Sequence, residues 1–266
     1  MVFTIRFVAL QLLAAFFAVQ FLGLVVGSLF ISAGIQTVED PADVGNALQL
    51  LAGILITTGI LLVVLYFYKG SVLLKGLEAL MMFTASGLFF SLFFNELLTL
   101  GLALILVGIR FAYEPFRPFL LMFATMVVGG LLGASLDVLP VLLFVVLISA
   151  YDFAAVFLTK HMVFLAERMS EKKASMTVNF KHKKEQVMLG SGDFVVPLVL
   201  SVSLLHHFGV FVAVFAAAGA GLGLGSLLWL MERKRGYYPG LPPIIFGELL
   251  LTAVGFGIKM ILSLPM

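Results

Sequence analysis

Long apolar runs recur along the whole chain, and they restrict the fold more than any other feature of the sequence. A transmembrane helix needs about 20 consecutive, mostly apolar residues. Hydrophobic residues make up 62% of the 266 residues, only 11% are charged, and the mean hydropathy is +1.18. The runs do not alternate between apolar and polar residues, as the strands of a transmembrane β-barrel would. The sequence therefore predicts an all-α, polytopic membrane protein embedded in the lipid bilayer.

The apolar runs divide into nine predicted spans, which form a single transmembrane domain over residues 1–266. Spans 1 to 6 extend over about 7–163, a polar loop follows at about 164–186, and spans 7 to 9 cover about 187–262. The loop is rich in Lys and Glu and is interpreted as a mobile segment. The first run is too long for a signal peptide, so it is interpreted as a span. The approximate limits are 7–31, 47–67, 72–93, 97–112, 119–136, 141–163, 187–206, 208–230 and 241–262.

Basic residues collect in alternate loops, which indicates how the chain is oriented. Arg6 precedes span 1, the loop between spans 6 and 7 carries six Lys and Arg residues, and Arg233 to Arg235 follow span 8. The loop between spans 1 and 2 is acidic instead, with Glu39 and Asp40. Cytoplasmic loops are enriched in Lys and Arg. We therefore expect a cytoplasmic N-terminus and a C-terminus on the outside.

Span 8 contains closely spaced glycines. Gly219 and Gly223 form one pair four residues apart, and Gly221 and Gly225 form another. Small residues at this spacing allow two helices to approach closely within a membrane. The sequence therefore predicts that span 8 packs tightly against another helix of the same chain.

An aspartate at the start of span 7 is the most unusual residue of the apolar runs. Asp193 follows Gly190, Ser191 and Gly192, and an entirely apolar stretch follows it. Placing a charged side chain inside a membrane helix costs about 2.5–3.5 kcal/mol on insertion scales, and such residues are commonly functional. The two glycines leave room for another backbone to approach the acid. Asp193 is therefore predicted to have a partner elsewhere in the membrane.

Asp152 in span 6 is the predicted partner of Asp193. Asp152 lies eight residues before Lys160, and Asp193 lies eight residues after Glu185, so both lie at the same distance from the cytoplasmic side. At 1.5 Å per residue, that distance is about 12 Å. Consecutive antiparallel spans are commonly neighbours, so the two carboxyl groups can face each other. The alternative is two separate interior acids, each hydrogen-bonded elsewhere.

Two further acids lie within predicted spans and have simpler interpretations. Glu78 lies three residues after Lys75, and a local ion pair is expected at that helical spacing. Glu248 lies about 10 Å along span 9 from Leu241. We interpret Glu248 as an interior carboxyl group that is protonated or hydrogen-bonded, with a direct role in function as the alternative.

Two adjacent carboxyl groups in a low-dielectric site share one proton, because both cannot ionise together. One then acts as a base that activates water, while the other protonates a carbonyl oxygen, which is the chemistry of aspartyl amide hydrolysis. This chemistry requires no metal or other cofactor. The chain has no Cys and only four His. No basic patch with interleaved aromatic residues indicates nucleic-acid binding.

The start of span 9 is rich in residues that interrupt helices. Pro239, Gly240, Leu241, Pro242 and Pro243 follow one another there, and Pro and Gly disfavour regular helix. Non-helical backbone at membrane depth is tolerated only where protein covers it or where it lines a cavity. The segment is either a simple helix start after a loop or a groove wall whose free backbone groups can hold an extended peptide.

Three motifs in this order resemble the presenilin and signal peptide peptidase family of intramembrane aspartyl proteases. They are Tyr151-Asp152 in span 6, Gly-x-Gly-Asp from Gly190 to Asp193 in span 7, and Pro239-Gly240-Leu241 followed by Pro242 at span 9. Gly240 stands where the family motif has Ala. The nine-span plan is also similar to that of the family, and the short chain resembles a compact prokaryotic member.

The resemblance implies a Gly-x-Gly-Asp-type aspartic endopeptidase that cuts within the transmembrane helices of single-span proteins. It implies Asp152 and Asp193 as the catalytic pair. An unwound substrate strand is expected to pair with backbone at 187–189 or 239–242. The predicted cytoplasmic N-terminus is similar to that of presenilins rather than signal peptide peptidases. The motif residues implied to line the active site and bind substrate are Tyr151, Gly190, Ser191, Gly192, Pro239, Gly240, Leu241 and Pro242.

A proton-coupled transporter or cation leak channel that uses the same two carboxyl groups is the alternative function. Transporters often contain inverted repeats with paired broken helices, and no such repeat is visible in the sequence. Prepilin peptidases share a Gly-x-Gly-Asp motif, but their aspartates lie near the cytoplasmic surface and the proline motif does not fit them. The sequence is compatible with a homo-oligomer as well as with a monomer.

Overall fold

The computed structural model describes residues 2–67, 72–158, 177–182, 185–233 and 238–263. This part of the chain forms nine α-helices, one two-stranded antiparallel sheet and a short 3-10 turn at Glu114–Phe116. The helices and strands, numbered in chain order, are α1 Val2–Ala33, α2 Gly45–Phe67, α3 Val72–Phe90, α4 Glu96–Ala112, α5 Arg117–Ser135, α6 Val138–Phe157, β1 Thr177–His182, β2 Glu185–Gly190, α7 Ser191–Phe208, α8 Val210–Arg233 and α9 Leu241–Ser263.

The nine helices of the described residues correspond to the nine predicted spans, and their limits differ by a few residues. Eight of them are long and apolar enough to cross a membrane. The exception, α4, has 17 residues and is about 26 Å long, slightly shorter than a hydrocarbon core of about 30 Å. The end of predicted span 6, beyond residue 158, lies outside the described residues. The prediction of an all-α polytopic membrane protein is confirmed.

The segment that leads into α7 differs from the prediction. A mobile loop was expected up to about residue 186 and a helix from 187, but β1 and β2 form a hairpin with Thr177 opposite Gly190. As a result, α7 begins only at Ser191. The hairpin packs against the ends of α1 and α5, and strand preference depends strongly on such packing. The prediction of a loop up to about residue 186 was wrong, because the Lys-rich composition of this segment does not reveal its contact with α1 and α5.

Helix α7 lies in the middle of the bundle and packs against α1, α5, α6, α8 and α9. Every side chain from Val196 to Leu204 is buried, as expected for a helix that is enclosed on all sides. Glycines on the neighbouring helices allow this close packing. A Cβ atom on Gly23 of α1 or on Gly129 of α5 would lie within 3.0 Å of the Leu198 side chain. The depth of α7 in the bundle is therefore set by interlocking contacts.

Helices α8 and α9 meet through direct backbone contact. A Cβ atom on Gly219 would lie 2.3 Å from the carbonyl oxygen of Gly247, and a Cβ atom on Gly223 would also overlap the backbone of α9. The prediction that this glycine pair packs within the chain is confirmed. The other pair behaves differently, since Gly221 faces a side chain of α1 and Gly225 has open space around it.

Glu78 does not pair with Lys75, so that prediction was wrong. Its buried carboxyl group accepts hydrogen bonds from Arg110 at 2.7 and 2.8 Å and from Arg117 at 3.0 and 3.2 Å. The planar guanidinium group matches the two carboxylate oxygens better than a lysine ammonium group does. The cluster joins α3 to α4 and α5, a long-range contact that local helical spacing cannot reveal.

Candidate active site

Asp193 lies in the first turn of α7, directly after β2. The strand ends at Gly190 and the helix begins at the next residue, so Asp193 is the third residue of the helix. Its Oδ2 atom accepts a hydrogen bond from the backbone N–H of Gly190 at 3.2 Å. A carboxyl group at this position satisfies an amide at the helix start and interacts favourably with the helix dipole. The Gly-x-Gly-Asp motif thus forms a strand-to-helix turn that orients the acid.

Asp152 lies near the end of α6 and caps α9. Its side chain is buried, and its Oδ2 atom accepts a hydrogen bond from the backbone N–H of Leu241 at 3.1 Å. The first amides of a helix have no acceptor within the helix, and the following residues, Pro242 and Pro243, have no N–H. Asp152 therefore satisfies a free amide at the start of α9.

Gly240 brings the two carboxyl groups together. A Cβ atom on Gly240 would lie 2.8 Å from Oδ2 of Asp193, while the N–H of the next residue, Leu241, donates a hydrogen bond to Asp152. The two carboxyl groups therefore contact the same short segment, Gly240 to Leu241. The structure therefore places both acids at one point where α6, α7 and α9 meet, as the matched depths in the sequence indicated.

The remaining motif residues divide into two groups. Ser191 and Gly192 form the first turn of α7 next to the acid, and Gly192 has open space around it. Pro239 is buried beside the start of α9, and Pro242 lies in its first turn. Tyr151 directly precedes Asp152 on α6 and is half-buried there. The structure gathers the Gly-x-Gly-Asp and Pro-Gly-Leu motifs around the two acids.

An apolar groove of about 320 Å³ lies between α6 and α9. Ser149 and Phe153 line it from α6, and Pro242 and Phe246 line it from α9. The side chains of Phe153 and Phe246 are 49% and 70% exposed, so the groove opens on the lipid-facing side of the bundle. Two residues of its lining, Phe153 and Pro242, are the chain neighbours of Asp152 and Leu241.

Glu248 forms a second buried polar contact two turns along α9 from the site. Its side chain is fully buried, and Oε1 accepts a hydrogen bond from the Ser201 hydroxyl of α7 at 2.9 Å. Oε2 has no hydrogen-bond partner among the described residues. The prediction of a hydrogen-bonded interior carboxyl group is confirmed, and the contact ties α9 to α7.

Gln20 of α1 is a polar residue that the sequence interpretation did not single out. It is fully buried, and its Nε2 atom donates a hydrogen bond to the carbonyl oxygen of Phe194 at 3.1 Å. Phe194 directly follows Asp193, so α1 contacts the turn that carries the acid. An amide in the middle of a mostly apolar span was the available signal, since such groups require a partner.

The fold and the site together define a polytopic helical membrane protein in which two carboxyl groups meet at the start of the last helix. A family model described as signal-peptide peptidase, presenilin aspartyl protease matches residues 13–183. The chain therefore belongs to this family of intramembrane aspartyl proteases. The matched segment contains Tyr151 and Asp152 but ends before the Gly-x-Gly-Asp motif at Gly190.

Solved structures extend the similarity over nearly the whole chain. Two of them, each described as a presenilin family intramembrane aspartate protease, were solved in P2 and C222 space groups. The first has a TM-score of 0.69 and 25% identity, with 94% of this chain and 97% of that chain covered. The second has a TM-score of 0.70 and 26% identity, with coverage of 94% and 99%. No sequence among the curated proteins matches this chain.

Proposed function

We propose that this chain is an intramembrane endoprotease that hydrolyses peptide bonds within the transmembrane helices of single-span proteins. The observation that carries the proposal is the meeting of Asp152 and Asp193 at Gly240 and Leu241, inside a protein with the fold of intramembrane aspartate proteases. Family membership supports a hydrolase of the aspartyl class. Asp152 and Asp193 are the catalytic residues of this proposal.

The chemistry uses one proton shared between the two carboxyl groups. The ionised carboxylate takes a proton from a water molecule as that water attacks the carbonyl carbon of the scissile bond. The other carboxyl group donates its proton to the carbonyl oxygen, which gives a tetrahedral diol. The diol then breaks its C–N bond: the protonated carboxyl group donates its proton to the leaving nitrogen, while the ionised carboxylate takes a proton from one hydroxyl of the diol, which restores the shared proton. No metal or other cofactor takes part in these steps.

The substrate reaches the site through the groove between α6 and α9. An apolar groove open to the bilayer suits a transmembrane helix, whose side chains are themselves apolar. The carbonyl groups of a helix are hydrogen-bonded within it, so the helix must unwind before it is cut. The unwound strand pairs with β2 at 187–189, along the edge that pairs with no strand among the described residues, since β2 leads directly into the turn of Asp193. Backbone at 239–242 lies on the other side of the strand.

Cleavage of a single-span reporter by the purified protein in detergent tests the proposal. We expect Asp152→Asn and Asp193→Asn each to lower kcat by about 10²–10⁴-fold, the usual contribution of a general acid or base. Glu96→Gln, an exposed acid at the start of α4, is the matched control and should cleave at the parent rate. Full activity in either Asn variant would refute the pair. Asp152-dependent cation flux in liposomes without any cleavage would favour the transporter instead.

Orientation is a separate part of the proposal. The basic loops suggest a cytoplasmic N-terminus, an outside C-terminus and therefore substrates whose own N-terminus lies outside. The chain has no Cys, so single cysteines can be introduced without background. In intact cells, a membrane-impermeant maleimide should label Glu39→Cys and should label Ser170→Cys only after permeabilisation. The reverse pattern would show that the orientation is inverted.

A further inference from the structure

The contact between Gln20 and the turn of Asp193 points to a role for α1 in the site. The Nε2 atom of Gln20 donates a hydrogen bond to the carbonyl oxygen of Phe194 at 3.1 Å, and the two residues are 174 positions apart in the sequence. Phe194 follows Asp193 directly, so this bond holds the backbone from which the Asp193 side chain extends. The distant first helix thus contacts the reacting end of α7.

The turn of Asp193 needs support from outside α7 because Pro197 weakens it. In an α-helix the carbonyl oxygen of residue i accepts the N–H of residue i+4. The residue four positions after Asp193 is Pro197, which lies inside the helix and has no N–H to donate. The carbonyl group of Asp193 therefore lacks the N–H that residue i+4 normally donates. Gln20 donates its hydrogen bond to the carbonyl group of the next residue, Phe194, in the same turn of the helix.

The packing around Gln20 would favour an apolar side chain on stability grounds alone. Phe16, one turn earlier on α1, packs against Phe194 with ring centroids 5.5 Å apart. One turn further along, Gly23 lies against Leu198. Within this apolar contact, Gln20 is fully buried and its Oε1 atom has no partner among the described residues. An unpaired buried carbonyl oxygen is destabilising. The favourable interaction that the Gln20 amide provides is therefore its hydrogen bond to the Phe194 carbonyl oxygen.

We propose that Gln20 is a positioning residue that holds the first turn of α7, and with it the Asp193 carboxyl group, in the reactive geometry. This inference rests on the proposed protease function for its effect on rate. The effect on the turn itself does not depend on that function. Gln20 contacts neither the Asp193 carboxyl group nor the groove between α6 and α9, so it acts through the Phe194 carbonyl group.

Three variants separate a hydrogen bond from simple packing. Gln20→Met has a similar volume but no donor. Gln20→Glu retains a donor at about pH 6, because a fully buried carboxyl group stays protonated and its O–H can reach the Phe194 carbonyl oxygen. Thr125→Val is the matched control, since Thr125 is also buried but bonds only to Met122 within its own helix. Each variant is compared with the parent protein in detergent.

We expect Gln20→Met to lower kcat by about tenfold with KM within about twofold, since loss of one bond moves the acid without altering the groove. Gln20→Glu should recover kcat to within about threefold of the parent, and Thr125→Val should match the parent. Equal kcat in Gln20→Met and the parent would overturn the proposal. Equal losses in the Met and Glu variants would also overturn it, because shape rather than the donor would then matter.

Hydrogen–deuterium exchange gives a readout that does not require protease activity. Amides at 191–196 should exchange faster in Gln20→Met than in the parent, and at the parent rate in Gln20→Glu and Thr125→Val. Unchanged exchange in Gln20→Met would overturn the positioning role whatever the kinetics show. Faster exchange in a protein that cleaves no reporter, or whose Asp193→Asn variant cleaves normally, would support the role of Gln20 in the turn and refute the protease function alone.

Discussion

Substitution of Gly240 by Ala tests the geometry of the two acids directly. The added Cβ atom would lie 2.8 Å from Oδ2 and 2.9 Å from Cγ of Asp193, whereas ordinary contact begins at 3.4 Å. The Asp193 carboxyl group must therefore withdraw by about 0.6 Å. Its side chain is short, so it withdraws by rotating away from Gly190. The backbone N–H of Gly190 donates a hydrogen bond to Oδ2 at 3.2 Å, and this bond is then lost.

The expected loss of activity follows from that hydrogen bond. A bond to a charged group contributes about 1.5–3 kcal/mol, and each 1.36 kcal/mol on the barrier changes the rate about tenfold. We therefore expect Gly240→Ala to lower kcat by about 10- to 100-fold, with little change in KM because the groove is unaltered. The family resemblance alone leads to the opposite expectation, since the family motif carries Ala at this position.

Cleavage of the reporter by purified Gly240→Ala and parent protein distinguishes these two expectations. Gly257→Ala is the matched control, because it makes the same change in the same helix at a position with no atom within 4 Å. The control should retain the parent kcat. An unchanged or higher kcat in Gly240→Ala would refute the reasoning, since it would mean that Asp193 does not hold the observed position during the reaction.

Three further substitutions test the packing that supports the site, each measured as the thermal unfolding midpoint in detergent. Glu78→Gln removes the negative charge that pairs with the buried guanidinium group of Arg110 and should cost about 3–5 kcal/mol, or roughly 10 °C, whereas the exposed Glu114→Gln should change little. Glu248→Gln keeps a partner for Ser201 and should cost less than about 1 kcal/mol, whereas Glu248→Ala should cost about 2 kcal/mol or more. Gly219→Ala forces a methyl group against the backbone of α9 and should cost about 1–3 kcal/mol. For each variant expected to be destabilised, an unchanged unfolding midpoint would contradict the contact that it tests.

Much of the fold and the central pair of acids could be predicted from the sequence because both leave local signals. A span is recognised by its own composition, since every backbone group in the hydrocarbon core must be bonded within the helix. Asp152 and Asp193 stand out because charged groups are rare inside spans. Their common depth follows from counting residues at a fixed rise, and the structure places Asp193 against Gly240 and Asp152 against Leu241.

The features that could not be predicted depend on contacts between distant segments. The hairpin of β1 and β2 forms where it packs against α1 and α5, and the lysines of that segment suggest a solvated loop when read alone. Glu78 has a suitable partner three residues away, but the fold supplies two arginines that match it better. Gln20 is a neutral amide whose partner is a backbone carbonyl group, and no residue type in the sequence marks that carbonyl group.

The two acids lie in parts of the fold with different surroundings, and this difference determines how a substrate can reach them. Asp193 belongs to α7, which five helices enclose and which glycines of α1 and α5 hold at a fixed depth. Asp152 belongs to α6, and its bond to Leu241 joins α6 to α9 beside the groove that faces the bilayer. Separating α6 from α9 disrupts fewer contacts than moving α7, which packs against five helices in a close-packed core. We therefore expect a substrate to displace the bond between Asp152 and Leu241, while Asp193 stays in place.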